Sequence, residues 1–100
     1  MKNYRTTSHA KYDLKVHLVW TPKYRKRVLY GQVGYRIREL IREVSLINDI
    51  QIISGKIASD HVHIFISYPP YLSISKIVQL LKGKTSRKIL SENRTIKAKF

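Results

Sequence analysis

Apolar residues recur at two different periods along this 100-residue chain, and the order of those periods leaves few possible folds. The stretch YDLKVHLVWT alternates between apolar and polar residues, as a half-buried strand does. From about Val33 to Asn48 the period lengthens to that of a helix. The runs IQIISGKIA and HVHIFIS indicate two more strands, joined by a turn at 58–60. Two helices are predicted after them, the first with Ser73 as its N-cap and Gly83 as its C′ residue.

This order predicts an α+β domain of the ferredoxin-like, split βαβ kind. The second and third strands form a hairpin, and the first strand pairs with the third in an antiparallel sheet. Right-handed crossovers place both main helices on one face and leave the other face open. The apolar residues of the second strand change face along its length, and a bulge or a twist near Ser54 and Gly55 would reconcile the two sets. We expect a single domain over residues 1–100, incomplete at its C-terminus because the last strand of that fold is missing.

The helix between the first two strands should bury one apolar stripe. Its predicted members are Val33, Ile37, Leu40, Ile41, Val44 and Ile47.

The charge of the chain points to nucleic acid. There are 20 Lys and Arg against 6 Asp and Glu, a net charge of +14, together with seven tyrosines. Such an excess on a small domain favours nucleic-acid binding over a merely solvated basic surface. No apolar run approaches the roughly 18 residues of a membrane span, and we expect neither a signal peptide nor a membrane partner. The absence of cysteine excludes thiolate metal sites and fits a reducing cytoplasm.

Two histidines, His61 and His63, lie two residues apart in the third strand. Side chains alternate between the two faces of a strand, so Val62, Ile64 and Ile66 should lie in the core. The same alternation places His61, His63, Phe65 and Ser67 on the open face. Imidazoles at that spacing, about 6–7 Å apart at Cα, can converge on one metal ion. A third ligand must come from elsewhere. The alternative is a pair of surface histidines that contact phosphate.

Two neighbours of this pair can be placed by the same alternation. His17 belongs to the outward set of the first strand, and it should lie near the histidine pair if the first and third strands are adjacent. By parity Asp60 is predicted to point to the core side unless the turn rotates it, which makes it a poor third ligand.

Three blocks of sequence carry a resemblance to a known family. The block YDLKVHLVWTPKYRKRVL is similar to that family's first strand and basic loop, and DHVHIFIS to its His-hydrophobe-His strand. The block LSISKIVQLLKGKTSRKI is similar to its following helix and Lys-Gly-Lys/Arg-Ser/Thr signature. In this order and spacing, over nearly all of the chain, they resemble the single-tyrosine HUH transposases of the insertion-sequence 200/605 type.

The resemblance implies a prokaryotic, cytoplasmic and nucleoid-associated DNA transposase that acts as a homodimer. Its substrate would be single-stranded DNA containing hairpins. A divalent metal, Mg²⁺ or Mn²⁺, would be held by His61 and His63, which are thereby the implied catalytic residues. A tyrosine would attack the phosphodiester and form a 5′-phosphotyrosine intermediate before rejoining. We expect no small-molecule cofactor.

The sequence departs from this family in its nucleophile. None of the seven tyrosines matches the family's catalytic tyrosine, which lies on a helix beyond the basic segment. The sequence is a truncated or degenerate copy, or it is a complete but inactive DNA-binding remnant, or an internal tyrosine such as Tyr71 substitutes. We expect this polypeptide alone not to cleave DNA. The alternative functions are a non-catalytic module of ferredoxin-like fold that binds single-stranded nucleic acid, and a basic component of a ribonucleoprotein.

Two basic clusters are the candidate DNA contacts, because Lys and Arg neutralise phosphates and a tyrosine can stack on a base. The first cluster, in the loop after the first strand, is Lys23, Tyr24, Arg25, Lys26 and Arg27. The second cluster, near the C-terminal helices, is Lys82, Lys84, Arg87 and Lys88.

Overall fold

The computed structural model describes residues 5–6, 11–21, 31–58 and 60–92. The strands are β1 (Arg5–Thr6), β2 (Lys11–Tyr12), β3 (Lys15–Trp20), β4 (Gln51–Ile57) and β5 (Val62–Ser67). The helices are α1 (Gly31–Ile47), α2 (Ile74–Val78), a π-helical turn (Gln79–Gly83) and α3 (Lys84–Glu92). Strands β1 and β2 pair with each other in a short antiparallel ladder that the sequence pattern did not predict.

The main sheet has the strand order β3-β5-β4 and is antiparallel throughout. The predicted pairing of the first strand with the third is therefore confirmed. The β4–β5 register shifts between Ile52 and Ser54, so Ile53 is the bulged residue, next to the predicted position. The bulge puts Ile52 opposite Ile66 and Ile57 opposite Val62, on the same side of the sheet. The extra residue thus lets the apolar residues before and after the bulge in β4 point to the same face of the sheet.

The core lies between one face of this sheet and the helices. α1 packs against β4 and α3, and β5 contributes the central apolar row. The most deeply buried large side chains include Ile37, Ile66, Ile77, Leu81 and Ile89. The predicted α+β architecture, an antiparallel sheet with its helices on one side, is confirmed. Within the described residues, no helix has the length and apolar character needed to cross a membrane.

The end of α1 differs from the predicted apolar stripe. Ile47 was expected in the core, but it is 80% exposed, while Ser45 is buried. The helix ends at Ile47, where the side-chain amide of Asn48 donates to a backbone carbonyl of the last turn and Asp49 adopts a positive φ of 62°. The chain reverses there, and Ile50, not Ile47, is the next apolar residue buried in the core.

The C-terminal helical segments follow one another without a break, where the sequence pattern had predicted two separate helices. Ser73 is the N-cap, as predicted, and its hydroxyl accepts a hydrogen bond of 3.0 Å from the Lys76 N–H. The prediction that Gly83 ends a helix is wrong, because the chain passes from the π-helical turn directly into α3. Buried residues here recur every four positions, a spacing that drifts by about 40° per step in a regular α-helix. The wider π turn offsets that drift and keeps Leu81 and Ile89 on the core side.

An ion pair joins the two ends of the helical layer. The Arg36 guanidinium on α1 donates two hydrogen bonds of 2.9 Å to the Glu92 carboxylate on α3. The hydrogen bond from Arg36 holds the pKa of Glu92 below its ordinary value and raises that of Arg36. The bidentate pair therefore links the first part of α1 to the last residue of α3 at the surface.

Candidate metal and nucleic-acid site

The two faces of β5 differ in chemistry. The core face is made of the buried residues Val62, Ile64 and Ile66. His63 and Phe65 are half-exposed and lie on the opposite face, which carries none of the described helices. The predicted alternation is therefore confirmed for these residues. Ser67 is an exception, because it is buried rather than open at the end of the strand.

His61 lies just before β5, in the hairpin turn. Its Nδ1 atom is 2.9 Å from Oδ1 of Asp60, whose side chain is exposed. Asp60 does not point to the core. The turn, closed by a hydrogen bond from the Ala58 N–H to the His61 carbonyl, interrupts the strand alternation, which is the exception that the prediction allowed. A carboxylate at Nδ1 orients the imidazole and leaves Nε2 as the nitrogen for a ligand.

A third imidazole adjoins the histidine pair. His17 on β3 lies directly opposite Phe65, and Val19 lies opposite His63. The His17 ring centroid is 4.9 Å from that of His63 and 4.5 Å from that of Phe65. His17 therefore lies near the pair, as expected, and its contact is with the His63 ring.

The donor atoms present here suit part of a metal coordination shell. His61 and His63 each offer one imidazole. Within the described part of the chain, no three His, Asp or Glu side chains are grouped closely enough to hold an ion by themselves. Water, a phosphate oxygen or another protein group would have to complete the shell. Mixed imidazole and oxygen ligands suit Mn²⁺ better than Mg²⁺, which prefers oxygen ligands and keeps several waters.

A lysine that the sequence patterns did not single out lies beside this site. Lys56 on β4 is directly opposite His63, and both line a shallow depression together with Ser54 and Phe65. An ammonium group at this position can neutralise a phosphate that approaches the histidines. The hairpin register, counted back from the turn at 58–60, was the signal that could have identified it.

The described tyrosines lie away from the histidines. Tyr71, the internal candidate nucleophile, donates a hydrogen bond of 3.4 Å to Asp49, which lies just before β4. The first residue of β4 is opposite Ser67, so Tyr71 belongs to the far end of the sheet. His63 and Ser67 are four residues apart on one strand, which is about 13 Å. Tyr71 is therefore not within bonding reach of a phosphate held by His63 in this arrangement.

The second basic cluster lies on the helix side of the sheet. Lys84, Arg87 and Lys88 are exposed on α3 at helical spacings of three and four, so they share one face. Lys82 is half-buried, and with Arg87 it borders a groove whose apolar lining includes Val78 and Leu90. This cluster and the histidines therefore occupy opposite sides of the molecule. The first cluster, Lys23, Tyr24, Arg25, Lys26 and Arg27, falls outside the described residues.

Removal of the Asp60 carboxylate, in Asp60→Ala, is expected to weaken Mn²⁺ binding by about 10-fold, because a metal-binding histidine depends on the group that orients it. Titration of Mn²⁺ followed by electron paramagnetic resonance measures the change. Asp13→Ala is the matched control. It also removes one negative charge, but its carboxylate pairs with Lys15 at 2.9 Å and not with a histidine. Equal losses in both variants would mean that only net charge matters.

The sequence of this chain is similar to those of known transposases. Residues 10–100 match the family model "Transposase IS200 like". The transposase for insertion sequence element IS200 of Salmonella typhimurium is 27% identical over 100 residues, which cover 100% of this chain and 66% of that protein. The ISDra2 transposase TnpA of Deinococcus radiodurans is 33% identical over 89 residues, covering 89% of this chain and 64% of that protein.

A solved structure shares the fold. The crystal structure of a candidate transposase from Deinococcus radiodurans R1 superposes with a TM-score of 0.79 and 28% identity, covering 95% of this chain and 71% of that one. The present chain thus spans less than two thirds of the curated relatives' length, 64% or 66% of each.

Proposed function

This chain belongs to the IS200-like transposase family, and on that premise we propose that it binds the hairpin-bearing single-stranded DNA of an insertion sequence and contributes to its cleavage and rejoining. Membership of the family supports DNA as the substrate and a metal-dependent mechanism. The observation that carries the proposal is the placement of His61 and His63 beside the sheet face that carries none of the described helices, with Asp60 orienting the first of them. Histidines that served only to fill the core would be buried, whereas His61 and His63 are half-exposed and accessible to a ligand.

In this proposal His61 and His63 hold Mg²⁺ or Mn²⁺. A bound divalent ion would supply Lewis-acid polarisation of the scissile phosphate. Lys56 neutralises the same phosphate from the neighbouring strand, and Asp60 keeps the His61 ring in its binding orientation. Cleavage joins a tyrosine oxygen to the phosphorus while the bond from phosphorus to the 3′ oxygen breaks. The products are a 5′-phosphotyrosine and a free 3′-hydroxyl, and the reverse step rejoins the strand.

Among the tyrosines that the structure describes, none lies beside the histidines. Tyr12, Tyr68 and Tyr71 belong to the Ser67 end of the sheet, and Tyr35 lies on α1, on the other side of the sheet from the histidines. We therefore propose that the 100-residue chain alone binds DNA without cutting it. We also propose a homodimer, because within the described residues β3 and β4 each leave one edge of the sheet unpaired.

Incubation with hairpin-bearing single-stranded DNA and Mn²⁺ tests this proposal. We expect a mobility shift for the hairpin substrate, a weaker shift for an unstructured strand of equal length, and no protein–DNA adduct that survives SDS. Light scattering on the same sample should give the mass of a dimer. An SDS-stable adduct would contradict the absence of a nucleophile, and equal shifts for both strands would contradict hairpin recognition.

Salt dependence tests the contribution of the second basic cluster. If about five phosphates of a single strand are neutralised, the log–log slope of affinity against salt is near −3.5. Replacing Lys84, Arg87 and Lys88 together by glutamine is expected to make that slope shallower by about 2 units, because each phosphate contact contributes about 0.7. Fluorescence anisotropy over a salt series measures it. Arg38→Gln with Arg42→Gln, two exposed arginines of α1 outside the cluster, should leave the slope unchanged.

A second candidate function is a non-catalytic module that binds single-stranded nucleic acid. The observation that favours it is the same sheet face, where Phe65, His17 and Lys56 combine ring surfaces with a cation. In that case His61→Ala would leave nucleic-acid binding intact, and Mn²⁺ would not change the affinity for DNA. The metal dependence of the mobility shift therefore separates the two candidates.

A further inference from the structure

The two histidines of the candidate metal site are held differently. The His61 ring is oriented by the Asp60 carboxylate at 2.9 Å. Among the described residues, no hydrogen bond orients the His63 ring. Metal-binding histidines usually need such a partner, since rotation about the last side-chain bond of histidine is broad. The contact that the described residues do offer the His63 ring is of another kind.

That contact is the ring of His17. It lies on the adjacent strand, diagonal to His63, and its centroid is 4.9 Å from the His63 centroid with a tilt of 46°. The Phe65 ring, directly opposite His17 on β5, has its centroid 4.5 Å from that of His17 with a tilt of 43°. Both distances fall within the range at which aromatic rings attract each other. His17 thus touches two rings of β5, and Phe65 limits its movement in turn.

We propose that His17 is a positioning residue, whose tilted ring contact holds the His63 ring and so raises the metal affinity of His61 and His63. The inference rests on the proposed function, because it concerns the same metal site. An ordered ring loses less conformational freedom when the ion binds, so the free energy of binding is more favourable. His17 is itself exposed, so its removal leaves no cavity in the core.

The test compares Mn²⁺ affinity in the wild type, His17→Ala and His17→Phe. This ring contact predicts a loss of Mn²⁺ affinity of about 3- to 10-fold in His17→Ala, the range that one aromatic contact provides. His17→Phe retains a ring without nitrogen atoms and should keep nearly wild-type affinity. Val19→Ala, which trims the exposed residue directly opposite His63, is the matched control and should also bind as the wild type does.

Two further measurements separate positioning from a structural role. The urea midpoint of His17→Ala should equal that of the wild type, and ¹³C relaxation of the His63 ring without metal should show greater mobility in His17→Ala than in His17→Phe. A purely structural effect would lower the midpoint and leave ring mobility unchanged.

The outcomes are distinct. If His17→Phe loses as much affinity as His17→Ala, His17 acts through a nitrogen atom and positioning by a ring contact is overturned. If His17→Ala binds as the wild type does while His61→Ala does not bind, the inference fails and the proposed metal site stands. If the wild type itself binds no Mn²⁺, the proposed metal site fails and this inference fails with it.

Discussion

His61→Ala and His63→Ala are each expected to abolish detectable Mn²⁺ binding. Groups that merely orient a metal ligand are worth about 10- to 100-fold in affinity, so the loss of a direct ligand should cost at least about 100-fold. Because the described residues supply two imidazoles and no third grouped ligand, one remaining histidine cannot retain the ion. Titration followed by electron paramagnetic resonance, which distinguishes free from bound Mn²⁺, measures this directly.

Val19→Ala is the control for these histidine variants. Val19 is 63% exposed and lies directly opposite His63 on β3, so its truncation disturbs the same part of the sheet without removing a ligand. It should bind Mn²⁺ like the wild type. Wild-type affinity in His61→Ala would place the ion elsewhere and would remove the basis for a metal-dependent role of this sheet face.

Ile66→Ala is expected to lower the free energy of unfolding by about 2–5 kcal/mol, the usual cost of truncating a fully buried isoleucine. Ile66 is completely buried on β5, the central strand, which lies between β3 and β4 in the sheet. Total stabilities of small domains are about 5–15 kcal/mol, so this variant would be largely unfolded at moderate urea concentrations. Circular dichroism across a urea series gives the shift.

Ile47→Ala provides the matched comparison, because it makes the same chemical change at the exposed end of α1. It should change the free energy of unfolding by no more than about 0.5 kcal/mol. A loss in Ile47→Ala as large as that in Ile66→Ala would show that Ile47 is buried by something outside the described contacts. The pair therefore also tests the correction to the predicted apolar stripe of α1.

Residues whose side chains follow a regular period were placed correctly by sequence reasoning. The face of β5 that carries His63 and Phe65 follows from strict alternation, because successive side chains of a strand must point to opposite sides. The same holds for the buried stripe of α1 at Ile37 and Leu40. His17 was placed near the pair by its parity, once the first and third strands were taken as neighbours.

The structure departs from the predicted periodic pattern where regular structure ends or changes. Asp60 lies in a turn, so alternation does not apply to it, and its carboxylate contacts His61 instead of the core. Ile47 is the last residue of a helix, where chain reversal moved the next core position to Ile50. Gly83 does not end a helix, because the buried residues after it stabilise a continuing one.

By itself the sequence determined the α+β class, the histidine face and the excess of positive charge, because these depend on local alternation and composition. Only the tertiary structure decided which groups support the histidines. Asp60 beside His61, Lys56 opposite His63 and His17 against the His63 ring each result from a turn or from strand register. Those relations join residues distant in the chain or at its turns, and they are set by how the sheet packs against the helices as a whole.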